Sequence, residues 1–214
     1  FHKGSKIANK NRRVDFNQGT DANYLTSDKM ALLAKIPIKP LRIAFDHISL
    51  RDTYISKIKL AKDNGILDLS NYVLYNHTDD TPEDFYERLR INCQLNEELG
   101  TKIYSFPMKY IPLDAKNRSF VGKHWSRKIL RGVQCILLAT RGLVTTRLEF
   151  FEAAFGHSAE EFRMIASMPE HYIIQRRKYE NNGAGEWQSV YKSLTPREKL
   201  TVAEITGDTE RILT

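Results

Sequence analysis

Cysteine is scarce. The 214 residues hold two, Cys93 and Cys135, too few to staple a secreted scaffold and not spaced as the CxxC or CxxxC pair of a zinc or redox site. The plain reading is a pair of buried thiols. Long apolar runs are missing too. The longest, residues 133–140, is far short of the roughly 18–20 residues of a membrane span and too central for a signal peptide. The chain therefore reads as cytoplasmic, with no membrane partner. What it has instead is 41% hydrophobic and 10% aromatic residues, enough apolar surface to exclude disorder as the main state.

Charge is unevenly spread. Lys+Arg outnumber Asp+Glu by 33 to 26, but residues 1–40 carry 8 against 3 and residues 101–135 carry 8 against 1, while 41–100 carry 7 against 11 and 136–214 carry 10 against 11. The excess sits in Lys10, Arg12 and Arg13, ahead of the first apolar run, and in Lys116, Arg118, Lys123, Arg127, Lys128 and Arg131. Such clusters suit phosphate-bearing partners, RNA or a phosphorylated substrate, although a solvated basic face has the same composition.

A short apolar run followed by an amphipathic helix recurs three times, and a fourth run follows. The runs RRVDFN, LRIAFD, NYVLYN and KIYSFP begin near residues 13, 41, 71 and 102. Spacings of about 30 residues fit parallel strands joined by crossover helices and are too long for hairpins. Between the last two runs, Thr81 is placed to cap, Pro82 to start and Gly100 to end a helix, with Phe85, Leu89, Asn92, Leu95 and Leu99 on its inner face and Cys93 at that face's edge. An earlier helix over 53–64 directs Tyr54, Ile55, Ile58 and Ala61 to the sheet. Beyond the fourth run only helices follow, over about 126–140, 145–155, 158–167 and 195–205, the last two marked by capping boxes. NNGAG at 181–185 is a loop and TGDTERILT a weakly ordered end. The predicted fold is α/β, a partial parallel βα barrel with about four strands present over 1–113, followed by a helical extension over 114–214.

In such architectures chemistry sits beyond the carboxyl ends of the strands. There the sequence places Asn17, Gln18, Gly19 and Asp21, then Asp46 and His47, then Asn76, His77, Asp79 and Asp80, then Ser105, Pro107 and Lys109. Amides and carboxylates of this kind suit ribose hydroxyls and an adenine edge. Asp79 and Asp80 equally suit a turn and a helix cap, and His47 and His77 lack a third imidazole at metal-binding spacing. Arg42, inside an apolar strand, needs a partner: an inward ion pair with Asp15, a ligand contact, or an edge-exposed setting. Four parallel strands do not close a barrel, and an unpaired edge at 14–17 calls for a partner chain or an N-terminal half that is not part of this sequence.

VDFNQGTDANYLT, PLRIAFDHI, LSNYVLYNHTDDTPEDFYERL and KIYSFPMKYIPL, spanning about 12–113, together resemble the second half of a radical S-adenosylmethionine (SAM) protein. The resemblance implies the last units of a six-unit partial βα barrel and a fragment of an enzyme in which SAM and a four-iron four-sulfur cluster generate a 5′-deoxyadenosyl radical. It assigns Asn17, Gln18, Arg42, Asp46, Tyr75 and Asn76 to the SAM side, and Lys109, Arg118 and Lys123 to the substrate side. The family's CxxxCxxC loop and its glycine-rich segment are not in these residues, so the cluster ligands are expected elsewhere and this chain alone is expected to be inactive. The alternative is a non-enzymatic βα module that binds nucleic acid or protein through its basic segments and through Tyr104, Tyr110, Phe120 and Trp125 as stacking surfaces.

Overall fold

A computed structural model describes residues 13–205. Lys10 and Arg12 of the basic lead and the segment 206–214 lie outside the described residues. The chain is mixed α/β. Three parallel strands, β1 (Leu41–Arg42), β2 (Asp68–Tyr75) and β3 (Lys102–Lys109), form one sheet in the order β1-β2-β3. The crossovers are α2 (Arg51–Asp63) and α3 (Pro82–Leu99), and α1 (Ser27–Leu33) precedes the sheet. The helical remainder comprises α4 (Arg127–Ala139), α5 (Leu148–Phe155), α6 (Ala159–Ser167), α7 (Glu170–Ile174), α8 (Arg176–Tyr179), α9 (Gly185–Ser193) and α10 (Pro196–Ile205).

The helix predicted between the last two strands forms as its punctuation requires. Thr81 Oγ1 accepts from Asp84 N at 3.1 Å and Asp84 accepts from Thr81 N at 3.1 Å, a reciprocal capping box. Gly100 ends the helix at φ +67°, a conformation that costs a residue without Cβ little. Ser158 and Thr195 likewise cap α6 and precede α10. The predicted loop at 181–185 is a wide helical turn, Glu180–Ala184, broken at Asn182 and Gly183.

The first predicted strand does not form, so three strands are present where about four were expected. Residues 13–20 run parallel to 38–43 but make only isolated ladder bridges with them, Val14 to Ile38 and Thr20 to Ile43. Between these, Asp15 Oδ1 accepts from Asn17 N at 2.8 Å and Asn17 takes φ +54°. This local side-chain turn uses a donor that a ladder would need and bends the chain away from it. The second strand is correspondingly short, while β2 starts three residues before the predicted Asn71.

Helices α2 and α3 cover one face of the sheet. Leu41, Ile43, Leu69 and Ile103 pack with Tyr54, Ile58, Ala61, Ile91 and Leu95. A second cluster joins Val73 and Tyr75 of β2 and Phe85, Tyr86 and Leu89 of α3 to Trp125, Val133, Phe151, Phe155 and Phe162. The apolar core therefore runs on across residue 113, because the helical extension packs against the outer side of α3. No helix among the described residues is long and apolar enough to cross a membrane.

Candidate functional site

Successive residues of a strand face opposite sides, and the two sides of this sheet differ. Leu69, Asn71, Val73, Tyr75, Ile103 and Ser105 are buried beneath helices. On the other side the register aligns Arg42 with Ser70 and Tyr104, Tyr72 with Phe106, and Leu74 with Met108. Tyr104 is 37% and Met108 47% exposed, and Arg42, Tyr72, Leu74 and Phe106 are half-buried. Parallel sheets ordinarily have both faces covered, so this open side is the unusual feature of the fold.

Arg42 organises it. Its Nε and Nη2 donate to the two Asp15 oxygens at 3.0 and 2.8 Å, and Nη1 donates to Ser70 Oγ at 3.0 Å. The guanidinium lies 5.5 Å from the Tyr72 ring centroid and 6.0 Å from that of Phe106. Of the settings open to Arg42, the ion pair with Asp15 is the one that forms, and the turn that removes the first strand is what aims Asp15 at Arg42. Hydrogen bonds from Arg42 and from the Asn17 backbone lower the Asp15 pKa to about 2. Any stability linked to this carboxylate is present above its ordinary pKa near 4 and is lost as pH falls toward 2. In Arg42→Gln, the Asp15 carboxyl resonance should titrate higher than in the parent, held below the ordinary value only by the Asn17 backbone, and an unchanged midpoint would show that the pair does not set it.

At the carboxyl edge the strand ends converge. Asp46 is solvent-exposed, yet crowding by the surrounding chain pushes its pKa up. Arg88 opposes that shift, the like charge of Asp21 adds to it, and His77 opposes it, so each of these three groups lies within electrostatic reach of Asp46. Asn17 and Gln18 are exposed on the adjoining turn. Asp21 accepts from Asn23 N at 2.8 Å, starting the short turn at Ala22–Tyr24. His47 is tied to Ser49, and the His77 ring lies 4.6 Å from that of Tyr110.

Other predicted positions do different work. Tyr75 points to the helix-covered side, 4% exposed and against Phe85 and Trp125; burial pushes its hydroxyl up to about 12. Asn76 is fully buried at φ +74° and donates to Tyr110 O and Phe120 O at 3.1 and 3.0 Å, while its Oδ1 accepts from Gly122 N at 2.8 Å. It pins the loop after β3 back over the end of β2. A Cβ at Gly122 would lie 2.7 Å from His77 O, so this approach requires glycine. Ser105 and Pro107 fall within β3 rather than at its end, because the strand runs on to Lys109. Lys109 donates to Arg118 O at 3.3 Å, and burial lowers its pKa. Arg118 and Lys123 are exposed on the same loop. Trp125 is no stacking surface. It is 6% exposed, and its indole N–H donates to Asp80 O at 2.6 Å.

Sequence reasoning missed Arg88, whose side chain is fully buried. It donates to the backbone carbonyls of Phe45 and Asp46, both at 3.0 Å, and of Leu74 at 2.9 Å, and forms an ion pair with Asp80 at 2.7 Å. One guanidinium thus ties together the ends of two strands. The signal was an arginine on the apolar face of a helix between Phe85 and Leu89, eight residues after an aspartate.

Both thiols are buried, Cys93 with its pKa pushed up to about 12 by burial and Cys135 also raised. No group of three or more His, Cys, Asp or Glu side chains among the described residues is arranged to hold a metal ion. The folded protein should leave both cysteines unmodified by an aromatic disulfide reagent that titrates two per chain after denaturation; rapid modification of either in the folded state would refute their burial.

Comparison with protein-family models, with curated proteins and with solved structures finds no match to this chain.

Proposed function

We propose that the open side of the sheet is the interior wall of a partial βα barrel and that the chain is the nucleoside-facing part of a radical SAM enzyme. The observation behind this reading is the pairing of an uncovered parallel-sheet face, which carries Arg42, Tyr72, Tyr104 and Phe106, with a polar rim at the carboxyl ends of the same strands. A sheet of this kind needs a cover, and a barrel interior filled by a nucleoside and by further chain meets that need.

The donor set fits SAM. The Tyr72 and Phe106 rings, tilted by 46° to one another, offer aromatic faces for stacking, and Asp46, Asn17 and Gln18 offer acceptors and donors for ribose hydroxyls at the rim. Asn76 keeps the loop after β3 folded over the site, and Lys109, Arg118 and Lys123 give that side a positive charge toward a phosphorylated substrate or RNA. SAM in such enzymes supplies a 5′-deoxyadenosyl radical that abstracts hydrogen from the substrate. These residues would orient it and keep water away. A four-iron four-sulfur cluster does not fit this chain, because two buried cysteines cannot supply three clustered thiolates; its ligands must come from other sequence.

Calorimetric titration of the chain with SAM tests the binding half of this reading, and 5′-deoxyadenosine release by a cluster-loaded protein containing these residues tests the chemistry. SAM binding that Arg42→Gln weakens is the expected result. RNA binding that falls steeply with salt, together with no effect of SAM on stability, would overturn it in favour of the binding module.

A further inference from the structure

Away from the sheet, α4, α5 and α7 enclose a cleft of about 650 Å³. Its walls are apolar: Ile136 and Ala139 from α4, Phe150 and Ala154 from α5, and Ile173 and Ile174 from α7. Phe150 is 41% and Ile174 42% exposed at its mouth. Three consecutive cations, Arg176, Arg177 and Lys178, stand along one side, and no carboxylate lines it. The arrangement is an apolar chamber with a positive edge.

Arg176 is the residue that gives the cleft a specificity. Its Nη2 donates to the carbonyls of Ala153 and Ala154, the latter at 3.2 Å, in the last turn of α5. Its Nη1 is sealed from solvent and has no hydrogen-bond partner. Arg176 belongs to none of the ion pairs among the described residues, and burial lowers its pKa, opposed by the more distant Glu161 and Glu180. The residue as a whole is only partly buried and lines the cleft beside Arg177 and Lys178, so an anion entering the cleft meets positive charge with no competing carboxylate while its apolar body displaces water from the walls.

We propose that this cleft binds a small amphiphilic carboxylate, with its head on Arg176 and its alkyl or aryl body between Phe150 and the isoleucines of α4 and α7. Ion pairing with the Arg176 guanidinium where it lines the cleft sets the requirement for negative charge, and the volume, in the range of pockets for drug-sized ligands, sets the size of the body. Arg177 and Lys178 raise the local concentration of anions at the mouth. The site is independent of the sheet face, and its failure would leave the SAM reading untouched.

The test is titration of the full chain with decanoate below its micelle-forming concentration, read by calorimetry and by amide chemical shifts, with decanol and anionic phospholipid vesicles in parallel. Decanoate should shift amides of α4, α5 and α7, and decanol should bind at least about tenfold more weakly. Arg176→Met should weaken decanoate binding by about tenfold or more. Because that variant also removes donors from the end of α5, Ala139→Phe, a change at an exposed position that fills the cleft, should abolish binding with the fold intact. Equal binding of decanol, unchanged binding in Ala139→Phe, or association with vesicles without binding of free decanoate would each overturn the assignment.

Discussion

Arg88→Met is expected to cost about 3–5 kcal/mol of stability near neutral pH, the loss typical of removing one partner from a buried ion pair. The guanidinium gives hydrogen bonds to the carbonyls of Phe45, Asp46, Leu74 and Asp84 and to Asp80 Oδ2, while Asp80 Oδ1 is buried with no partner. Methionine fills a similar length but leaves four carbonyls and a carboxylate short of a donor. The loss should depend on pH in a defined direction. Burial raises the Asp80 pKa to about 6 despite the pull of Arg88. A raised folded-state pKa means that stability is fullest below the ordinary aspartate value and declines as pH rises through about 6. Without Arg88 the ionised form is worse still, so the cost should shrink at pH 4 and grow at pH 7. Urea denaturation at both pH values, with Asp80→Asn/Arg88→Met as a partial rescue, checks this; a cost that does not vary with pH would assign the effect to the carbonyls alone.

The same residue shows where sequence and structure part. Periodicity and spacing were enough to place α3, its Thr81 cap, its Gly100 stop and the two strands that flank it, because each of those signals is local. Arg88 is not local. Apart from the Asp84 carbonyl one turn back in α3, its partners lie in β2 and in the two loops at the strand ends, and nothing in the 3.6-residue pattern says that a charge on the apolar face has Asp80 to meet it. The first strand failed for the opposite reason. RRVDFN has strand composition, yet Asp15 and Asn17 settle it by a turn two residues long, and the same turn gives Arg42 its ion pair. Tyr75, given to the SAM side by the resemblance, lies one step along β2 from Leu74 and faces the helices rather than the open side. Asn76 was correctly placed at a strand end, but its amide is spent on the loop carrying Tyr110, Phe120 and Gly122, contacts up to 46 residues away in sequence. The open side itself was legible only as a two-residue alternation once the strands were fixed in register.

Phe85→Ala and Asp46→Ala separate core from site. Phe85 is fully buried, with its ring centroid 5.3 Å from Tyr75, 6.2 Å from Trp125 and 6.2 Å from Phe162, so it joins sheet, loop and helical extension in one cluster. Truncation leaves a cavity that three elements would have to close together, and the expected cost is about 3–5 kcal/mol. Asp46 is exposed, and its raised pKa means that the ionised form contributes nothing favourable to folding near neutral pH. Asp46→Ala should therefore stay within about 0.5 kcal/mol of the parent in denaturant. Under the SAM reading the order reverses for binding. Loss of the Asp46 carboxylate removes an acceptor for the ribose and should weaken SAM by about tenfold, while Phe85→Ala, measured below its unfolding transition, should retain affinity because Phe85 lies on the covered side of the sheet. Equal SAM affinity in Asp46→Ala and the parent would remove Asp46 from the site. Loss of affinity in both variants in proportion to their stability would mean that binding reports only the folded fraction.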